Sequence, residues 1–529
     1  MGQLTGKNHI GSQRSSDGEI QFTTYDPVQD QSTAQLFTEA TSAEIDSAVG
    51  LAKEAMHEYG ALPAKQKAEF LRAIADQIEQ LGDDLIQVYC QETGLPEGRA
   101  KGERGRTMGQ LRSFADLVEK GNWVQATIDT AQPNRQPVPK PDLRKMRQPL
   151  GPVAVFGASN FPLAYSTAGG DTASALAAGC PVVVKSHPMH AGTGELVANA
   201  ITKAAAETGM PAGVFSNLNS SGIEVGVALV NHPGIKAVGF TGSIKGGRAL
   251  FDLASKRDEP IPVFAEMGST NPVLLLPQAI REQGTEWAKS YAASITLGAG
   301  QFCTNPGLLF GLKGSDLDAF VTDLSEAIET IEPSCMLHPN IKRNYQHNKE
   351  EVQAQNGVTV VAEYTNDVPP NSAQQVVVKV SGEAFINNPK LHQEVFGPFS
   401  MVVAFDDHEQ MRAAIDQLEG QLTGTILGNA EELETYGALV NALKSRVGRL
   451  IFNGVPTGVE VCPAMHHGGP YPASTDSRFT AVGIHAIDRW TRPMSFQNWP
   501  DSALPQELRD ANPLGITRLV NGELTAKAL

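Results

Sequence analysis

A cysteine in a glycine-rich bend has the greatest chemical potential in this chain. Cys303 lies in Leu297-Gly298-Ala299-Gly300-Gln301-Phe302-Cys303-Thr304, where small neighbours leave a thiol open to approach. A carboxylate, Glu266, stands 37 residues upstream in its own glycine-flanked turn, Glu266-Met267-Gly268. A thiol nucleophile with a separate base is what covalent chemistry on a carbonyl carbon requires. Asn160 follows an expected strand in Phe156-Gly157-Ala158-Ser159-Asn160-Phe161-Pro162, where α/β sheets present polar groups to ligands. Read alone, Asn160 serves equally well to satisfy a turn, and Glu266 to end a strand in solvent. The other four cysteines, Cys90, Cys180, Cys335 and Cys462, read as small hydrophobes.

Three further groups sit at element ends. Lys185 closes the apolar run Val182-Val183-Val184, either as a binding group or as a solvated strand end. Gly239-Phe240-Thr241-Gly242-Ser243 reads as strand, turn and helix start. Ser243 there is a natural N-cap, and the exposed amides behind it suit a phosphate. Gly222-x-x-x-Gly226 permits close approach of a helix, although the G-x-G-x-x-G fingerprint is missing from this region. Glu394-Val395-Phe396-Gly397-Pro398 by itself is no more than a proline-terminated strand edge.

The elements that must hold these groups are legible in outline. Thr41-Ser42-Ala43-Glu44 is a capping box opening a helix with Ile45, Ala48, Val49, Ala52 and Met56 on one face. A second helix follows Pro63, carrying Phe70, Leu71, Ile74, Ile78 and Leu81, and a third is expected from Arg104 to Val118. Residues 132–141 are too proline-rich for helix and read as an extended crossing between lobes. From Gly151 short apolar strands alternate with helices, the pattern of a parallel sheet covered on both faces. A second α/β region runs from Pro272 to about Val461, and residues 485–499 read as a strand pairing outside their own lobe.

Composition narrows the function classes. The chain has 529 residues and a net charge of −16, which argues against nucleic acid or an anionic membrane as partner. Five scattered cysteines without C-x-x-C spacing suit neither a disulfide framework nor a zinc site, and no metal is expected. The start has no apolar core for a secretory signal, the Gly2 acylation pattern fails at Gly6, and no run approaches a membrane span, so the expectation is a cytoplasmic protein.

Taken together, the Asn160, Glu266, Cys303 and Glu394 motifs, in this order, resemble those of the aldehyde dehydrogenase superfamily. Matches spread from about Gly151 to Pro472, with helical spacing agreeing back to about residue 20. The resemblance implies an α/β fold of two Rossmann-like parallel-sheet lobes with a small β oligomerisation segment. It assigns residues 20–131 and 150–264 to cofactor binding, 265–475 to catalysis, and 132–149 with 480–505 to oligomerisation as a homodimer or homotetramer. Cys303 becomes the nucleophile, Glu266 the base that activates water, and the Asn160 amide with the Cys303 N–H the oxyanion donors. Lys185 would hold the adenosine ribose. Gly222 and Gly226 would flank the adenine, and Phe240, Thr241, Gly242 and Ser243 the pyrophosphate. Glu394 would hold the nicotinamide ribose, with Phe396 packed beside the ring. Asn453-Gly454 followed by Pro456-Thr457-Gly458 resembles the family's segment beside the substrate pocket.

Two departures bear on specificity. Ser159 replaces a common Trp, which is expected to alter packing rather than the oxyanion donor, and Ser269 replaces the second Gly of the Glu266 motif. Pro188 stands where NAD-preferring relatives often carry a Glu, which favours NADP mildly over NAD, with Lys185 and His187 as phosphate partners. The runs 157–164, 168–173 and 468–475 resemble a branch containing α-ketoglutaric semialdehyde (2,5-dioxopentanoate) dehydrogenases and NADP-dependent fatty aldehyde dehydrogenases. The first substrate needs a cation, for which Arg104, Arg106 and Arg112 are candidates and Arg106 the choice. The second needs an apolar tunnel, for which Phe156, Phe161, Leu163 and Phe302 are candidates, with Thr304 beside them. A coenzyme A-acylating enzyme and a non-catalytic structural protein are the remaining alternatives; Glu266 favours hydrolysis over the former.

Overall fold

The computed structural model describes residues 4–529, so the reading made at Met1 and Gly2 lies outside the described residues. The capping box forms as expected: Thr41 Oγ1 accepts from the Glu44 N–H, and Glu44 Oε2 accepts from the Thr41 N–H at 2.8 Å. The helix Ser42–Ala61 that follows buries Ile45, Ala48, Val49 and Ala52. Ala64–Gln80 is the second helix, and its apolar face, from Phe70 to Ile78, is fully buried.

The helix expected at Arg104 begins earlier, at Glu97, runs to Lys120, and is the fourth rather than the third. A helix Gly82–Thr93 precedes it. The early start is masked in the sequence by Gly98, Gly102, Gly105 and Gly109, which weaken helical propensity. All four would place a β-carbon in open space, and Gly98 and Gly102 border a cavity. Ala100, Thr107, Met108, Leu111 and Phe114 bury the inner face.

Four sheets form among the described residues: a two-stranded one pairs Gln21–Asp26 with Gln31–Thr38, and three larger ones position the site. In the first, Val263–Glu266, Ala237–Thr241, Val153–Phe156, Val182–Lys185 and Phe215–Leu218 run parallel, with Asn8–Ile10 and Gln13–Ser15 added antiparallel at one edge. Val153, Val155, Val182 and Val184 face one apolar core, and Ala154, Val183, Val238 and Ala265 the other. This two-sided burial is why the strands read as continuous apolar runs. Chain order reverses between Val153–Phe156 and Ala237–Thr241, and the crevice beyond their carboxyl ends is where such sheets bind ligands.

The second sheet runs in the order Thr359–Glu363, Val376–Ser381, Phe399–Phe405, Leu308–Leu312, Val273–Leu275, Gln421–Leu427, Val447–Phe452, parallel except for its first pair. The third joins Thr491–Gln497, Leu143–Pro149, Thr127–Asp129, Arg518–Val520 and Glu523–Thr525. Residues 132–141 are not a crossing between lobes. They form the loop of a hairpin in this third sheet, closed by reciprocal Gln132–Lys140 main-chain hydrogen bonds of 2.9 and 3.0 Å. Residues 484–490 are a 3₁₀ helix rather than strand, because Trp490 is drawn into the core and donates to Ser174 Oγ at 2.7 Å. Thr491–Gln497 then pairs antiparallel with Leu143–Pro149. Among the described residues, no helix is long and apolar enough to cross a membrane.

Candidate active site

The bend that delivers Cys303 depends on left-handed backbone. After the helix Pro277–Thr296, Gly298, Ala299 and Gly300 have φ of 54°, 55° and 65°. A β-carbon on Gly300 would lie 2.1 Å from Gly397 O, so glycine lets the Glu394 motif close against the bend. Asn271 ties the bend to the Glu266 loop: its Nδ2 donates to Cys303 O at 2.8 Å and Asn305 O at 2.9 Å. Gln421 Oε1 in turn accepts from the Thr270 and Asn271 N–H groups at 2.6 and 3.2 Å. Ser269 Oγ lies 2.9 Å from both Asn271 Oδ1 and Gln421 Oε1, so the hydroxyl that departs from the family pattern joins this network.

Glu266 ends its strand beside Thr241 and is only 4% exposed. A distant segment returns to meet it: Met267 N–H donates to Ala473 O at 2.9 Å, and Thr475 N–H to Ala265 O at 3.0 Å. That return carries His467, 1% exposed, with Nε2 2.9 Å from Glu266 Oε1 and 3.6 Å from Cys303 Sγ. The imidazole lies at ion-pair distance from the carboxylate without an aligned hydrogen bond, and the Cys303 thiol is the carboxylate's other close polar group. Burial, reinforced by the Glu266 and Glu394 carboxylates, pushes the Cys303 thiol well above its usual range. A thiol raised in this way needs a neighbouring base before it can act as a nucleophile.

Two cavities meet at Cys303. The larger, about 740 Å³, is lined by Asn160, Thr241, Gly242, Ser243, Glu394 and Phe396, with Ser159 also on its wall. Ser243 Oγ accepts from Gly246 N–H at 3.2 Å, so the helix Ile244–Ser255 presents its N-terminus there. Asn160 Nδ2 donates to Gln301 O at 3.1 Å, which holds the amide beside the thiol. Glu394 packs on Gly268, whose missing β-carbon would fall 2.5 Å from Glu394 Oε2, and burial raises this carboxyl to about 7.

The smaller cavity, about 280 Å³, is lined by Arg99, Arg106, Phe161, Phe302, Thr304 and Thr457 among others. Arg99 lies over the Phe161 and Phe302 rings, at 4.3 and 4.8 Å to their centroids, and pairs with Glu103 at 3.4 Å. Arg106 donates to Tyr165 Oη at 3.2 Å and pairs with no carboxylate, while its buried Nε has no partner among the described residues. Arg104 binds Gly82 O at 2.8 Å, and Arg112 pairs with Asp76 and Glu79 on the exposed face, so neither reaches the site. Phe156 and Leu163 do not line the cavity either. Phe156 packs against Gly226 and Phe240, and Leu163 is buried in the core with its N–H donated to Glu103.

Several of the cofactor residues expected from sequence lie away from the cavity walls. Lys185 ends its strand beside Phe156; burial lowers its ammonium to about 8, a fall that the charge of Glu39 opposes. His187 stacks on His190 at 5.0 Å, and burial, with the charges of His190 and Lys185, lowers it well below the usual range. Pro188 begins the short turn Pro188–His190. Gly226 admits the Phe156 ring, 2.9 Å from where a β-carbon would be, whereas Gly222 is exposed. Phe240 covers Gly242 and Gly246. His467, Asn271, Gln421 and Arg99 were not singled out from sequence. The pair His466-His467 was the visible signal for the first, but its partners lie 164 and more residues away.

The chain matches the model described as "Aldehyde dehydrogenase family" over residues 13–494. It is 47% identical over 526 residues to the alpha-ketoglutaric semialdehyde dehydrogenase of Acinetobacter baylyi, covering 99% of this chain and all of that protein. It is 47% identical over 522 residues to alpha-ketoglutaric semialdehyde dehydrogenase 2 of Azospirillum brasilense, covering 98% and 99%. Among solved structures, betaine aldehyde dehydrogenase of Staphylococcus aureus with NAD+ superposes with a TM-score of 0.80 at 18% identity, covering 93% of this chain and 95% of that one. An aldehyde dehydrogenase of Pseudomonas syringae with NAD+ and octanal gives 0.79 at 20%, covering 93% and 96%.

Proposed function

This chain belongs to the aldehyde dehydrogenase family, and from that premise we propose that it oxidises 2,5-dioxopentanoate to 2-oxoglutarate through a thioester on Cys303. The observation that carries the substrate class is Arg106, a guanidinium without a carboxylate partner in the cavity that opens on the thiol. A carboxylate at the far end of a short aldehyde would satisfy it. A long alkanal would find Phe161 and Phe302 but leave Arg106 unpaired. The names of the two relatives at 47% identity support the same choice.

The larger cavity fits a dinucleotide in size, and its wall combines a helix N-terminus for phosphate with a carboxylate for ribose hydroxyls. Ser243, Glu394 and Phe396 are the residues that would hold it. Pro188 in place of a carboxylate weighs toward NADP, and the charge of Glu39 acting on Lys185 weighs toward NAD. Bound nicotinamide supplies the hydride acceptor for the oxidation. His467 takes the thiol proton, and Glu266 steadies the imidazolium while sulfur adds to the aldehyde carbon. Asn160 Nδ2 and the Cys303 N–H stabilise the oxyanion. Glu266 then draws a proton from the water that hydrolyses the thioester. We assign residues 20–131 with 150–264 to cofactor binding, 265–475 to catalysis and the third sheet to assembly as a dimer or tetramer.

Reduced-cofactor absorbance, followed with 2,5-dioxopentanoate, alkanals of graded length and each cofactor, tests the reading in wild type and Cys303→Ala. Turnover best on the dicarbonyl acid and abolished in Cys303→Ala is expected. Turnover best on long alkanals would overturn the substrate, and activity surviving in Cys303→Ala would overturn the nucleophile.

A further inference from the structure

The three groups around the thiol also make a ligand set. Cys303 Sγ, His467 Nε2 and a Glu266 carboxylate oxygen all lie within 4.8 Å of one another. In a tetrahedral zinc centre, bonds of about 2.0–2.3 Å place neighbouring ligand atoms roughly 3.2–3.7 Å apart. The 3.6 Å between Sγ and Nε2 already meets that spacing, and the 2.9 Å between Nε2 and Oε1 need open only slightly. We propose that Cys303, His467 and Glu266 form an inhibitory site for a zinc-class divalent cation, with the fourth position open to the cavities that meet at the thiol.

Two arguments point to a cation. Glu266 is buried, its oxygens accept no aligned hydrogen bond among the described residues, and the groups beside it, the His467 imidazole at 2.9 Å and the Cys303 thiol, are themselves ligand groups. Charge also balances: a divalent ion with one thiolate, one carboxylate and one neutral imidazole is a neutral centre, the form a buried site favours. A metal-bound thiol gives up its proton. Binding is thus a Zn–S bond formed and one proton released to buffer, with no change of oxidation state. The three ligands come from three separate segments, which is why the chain carries no metal-binding spacing. Coordination needs only this geometry. Loss of turnover rests in addition on the reading of Cys303 as nucleophile, since the metal occupies its lone pair.

Cadmium titration of the full-length protein, read by the ultraviolet thiolate-to-cadmium band, tests coordination. One equivalent of band is expected in wild type and none in Cys303→Ser, and His467→Gln should weaken binding at least about tenfold. Should His467→Gln not fold, the one-atom change Cys303→Ser carries the test. A band that persists in Cys303→Ser, or equal affinity in His467→Gln, overturns the site. Zinc is then added to the aldehyde assay, where inhibition reversed by chelator is expected. A wild-type band combined with turnover untouched by zinc would leave the metal site standing and overturn Cys303 as nucleophile instead.

Discussion

The two cavities that meet at Cys303 are built in opposite ways. The larger takes much of its wall from runs of consecutive residues at strand ends and a helix start, Ala158 to Asn160, Thr241 to Lys245 and Met267 to Thr270, with Glu394 and Phe396 added from the second α/β region. Those runs follow from the sheet and one helix N-terminus, suiting a ligand shared by many relatives. The smaller is walled by long side chains from distant places: Arg99 and Arg106 on one helix, Phe161 and Phe302 on two loops, Thr457 on another. Side chains change without altering the fold, so the smaller cavity is where specificity can vary while the larger stays constant.

That contrast can be broken in stages. The largest effect is expected at the thiol shared by both cavities, where Glu266→Gln should slow turnover by about 10²–10⁴-fold while leaving cofactor affinity near wild type. Rapid-mixing kinetics should show a burst of reduced cofactor followed by a slow phase as the thioester accumulates; loss of the burst would place Glu266 before hydride loss. Next comes the smaller cavity. Arg106→Ala removes a charged hydrogen bond worth about 1.5–3 kcal/mol. It should therefore raise KM for 2,5-dioxopentanoate roughly 10–150-fold, with little change for an alkanal of similar length. An equal rise for both aldehydes would mean that Arg106 only shapes the wall.

The mildest test concerns the larger cavity. Glu394 has its carboxyl raised to about 7, so in the free protein it becomes neutral as pH falls through 7. An ionised carboxylate is the stronger acceptor of ribose hydroxyls. Cofactor Kd should therefore rise as pH drops below about 7, approaching tenfold per unit, and the dependence should vanish in Glu394→Gln. Calorimetry across pH checks this, and a flat wild-type profile would remove Glu394 from the ribose contact.

Legibility followed the same division. Strands buried on both faces announce themselves as apolar runs, and the helix at Ser42 is fixed by its own capping box. Of the elements that escaped, two show the reason most clearly. The helix Glu97–Lys120 hides its start behind glycines and is stabilised by the face it packs inward. Residues 484–490 leave the strand conformation because Trp490 finds a pocket beside Ser174 and Phe264. Neither pocket nor inner face exists in the local sequence.

What the sequence determined by itself is the chemistry available: a thiol in a left-handed glycine bend, a carboxylate after a buried strand, an amide at a strand end, and the alternation that makes parallel sheets. These depend on backbone conformation and periodicity over a few residues. The tertiary structure alone decided that His467 stands beside both Glu266 and Cys303, that Asn271 and Gln421 lock their loops together, and that Arg106, unlike Arg99 and Arg112, has no carboxylate partner among the described residues. Those outcomes turn on which distant segments meet and which charges are already paired, and that is settled only when the sheets and helices pack.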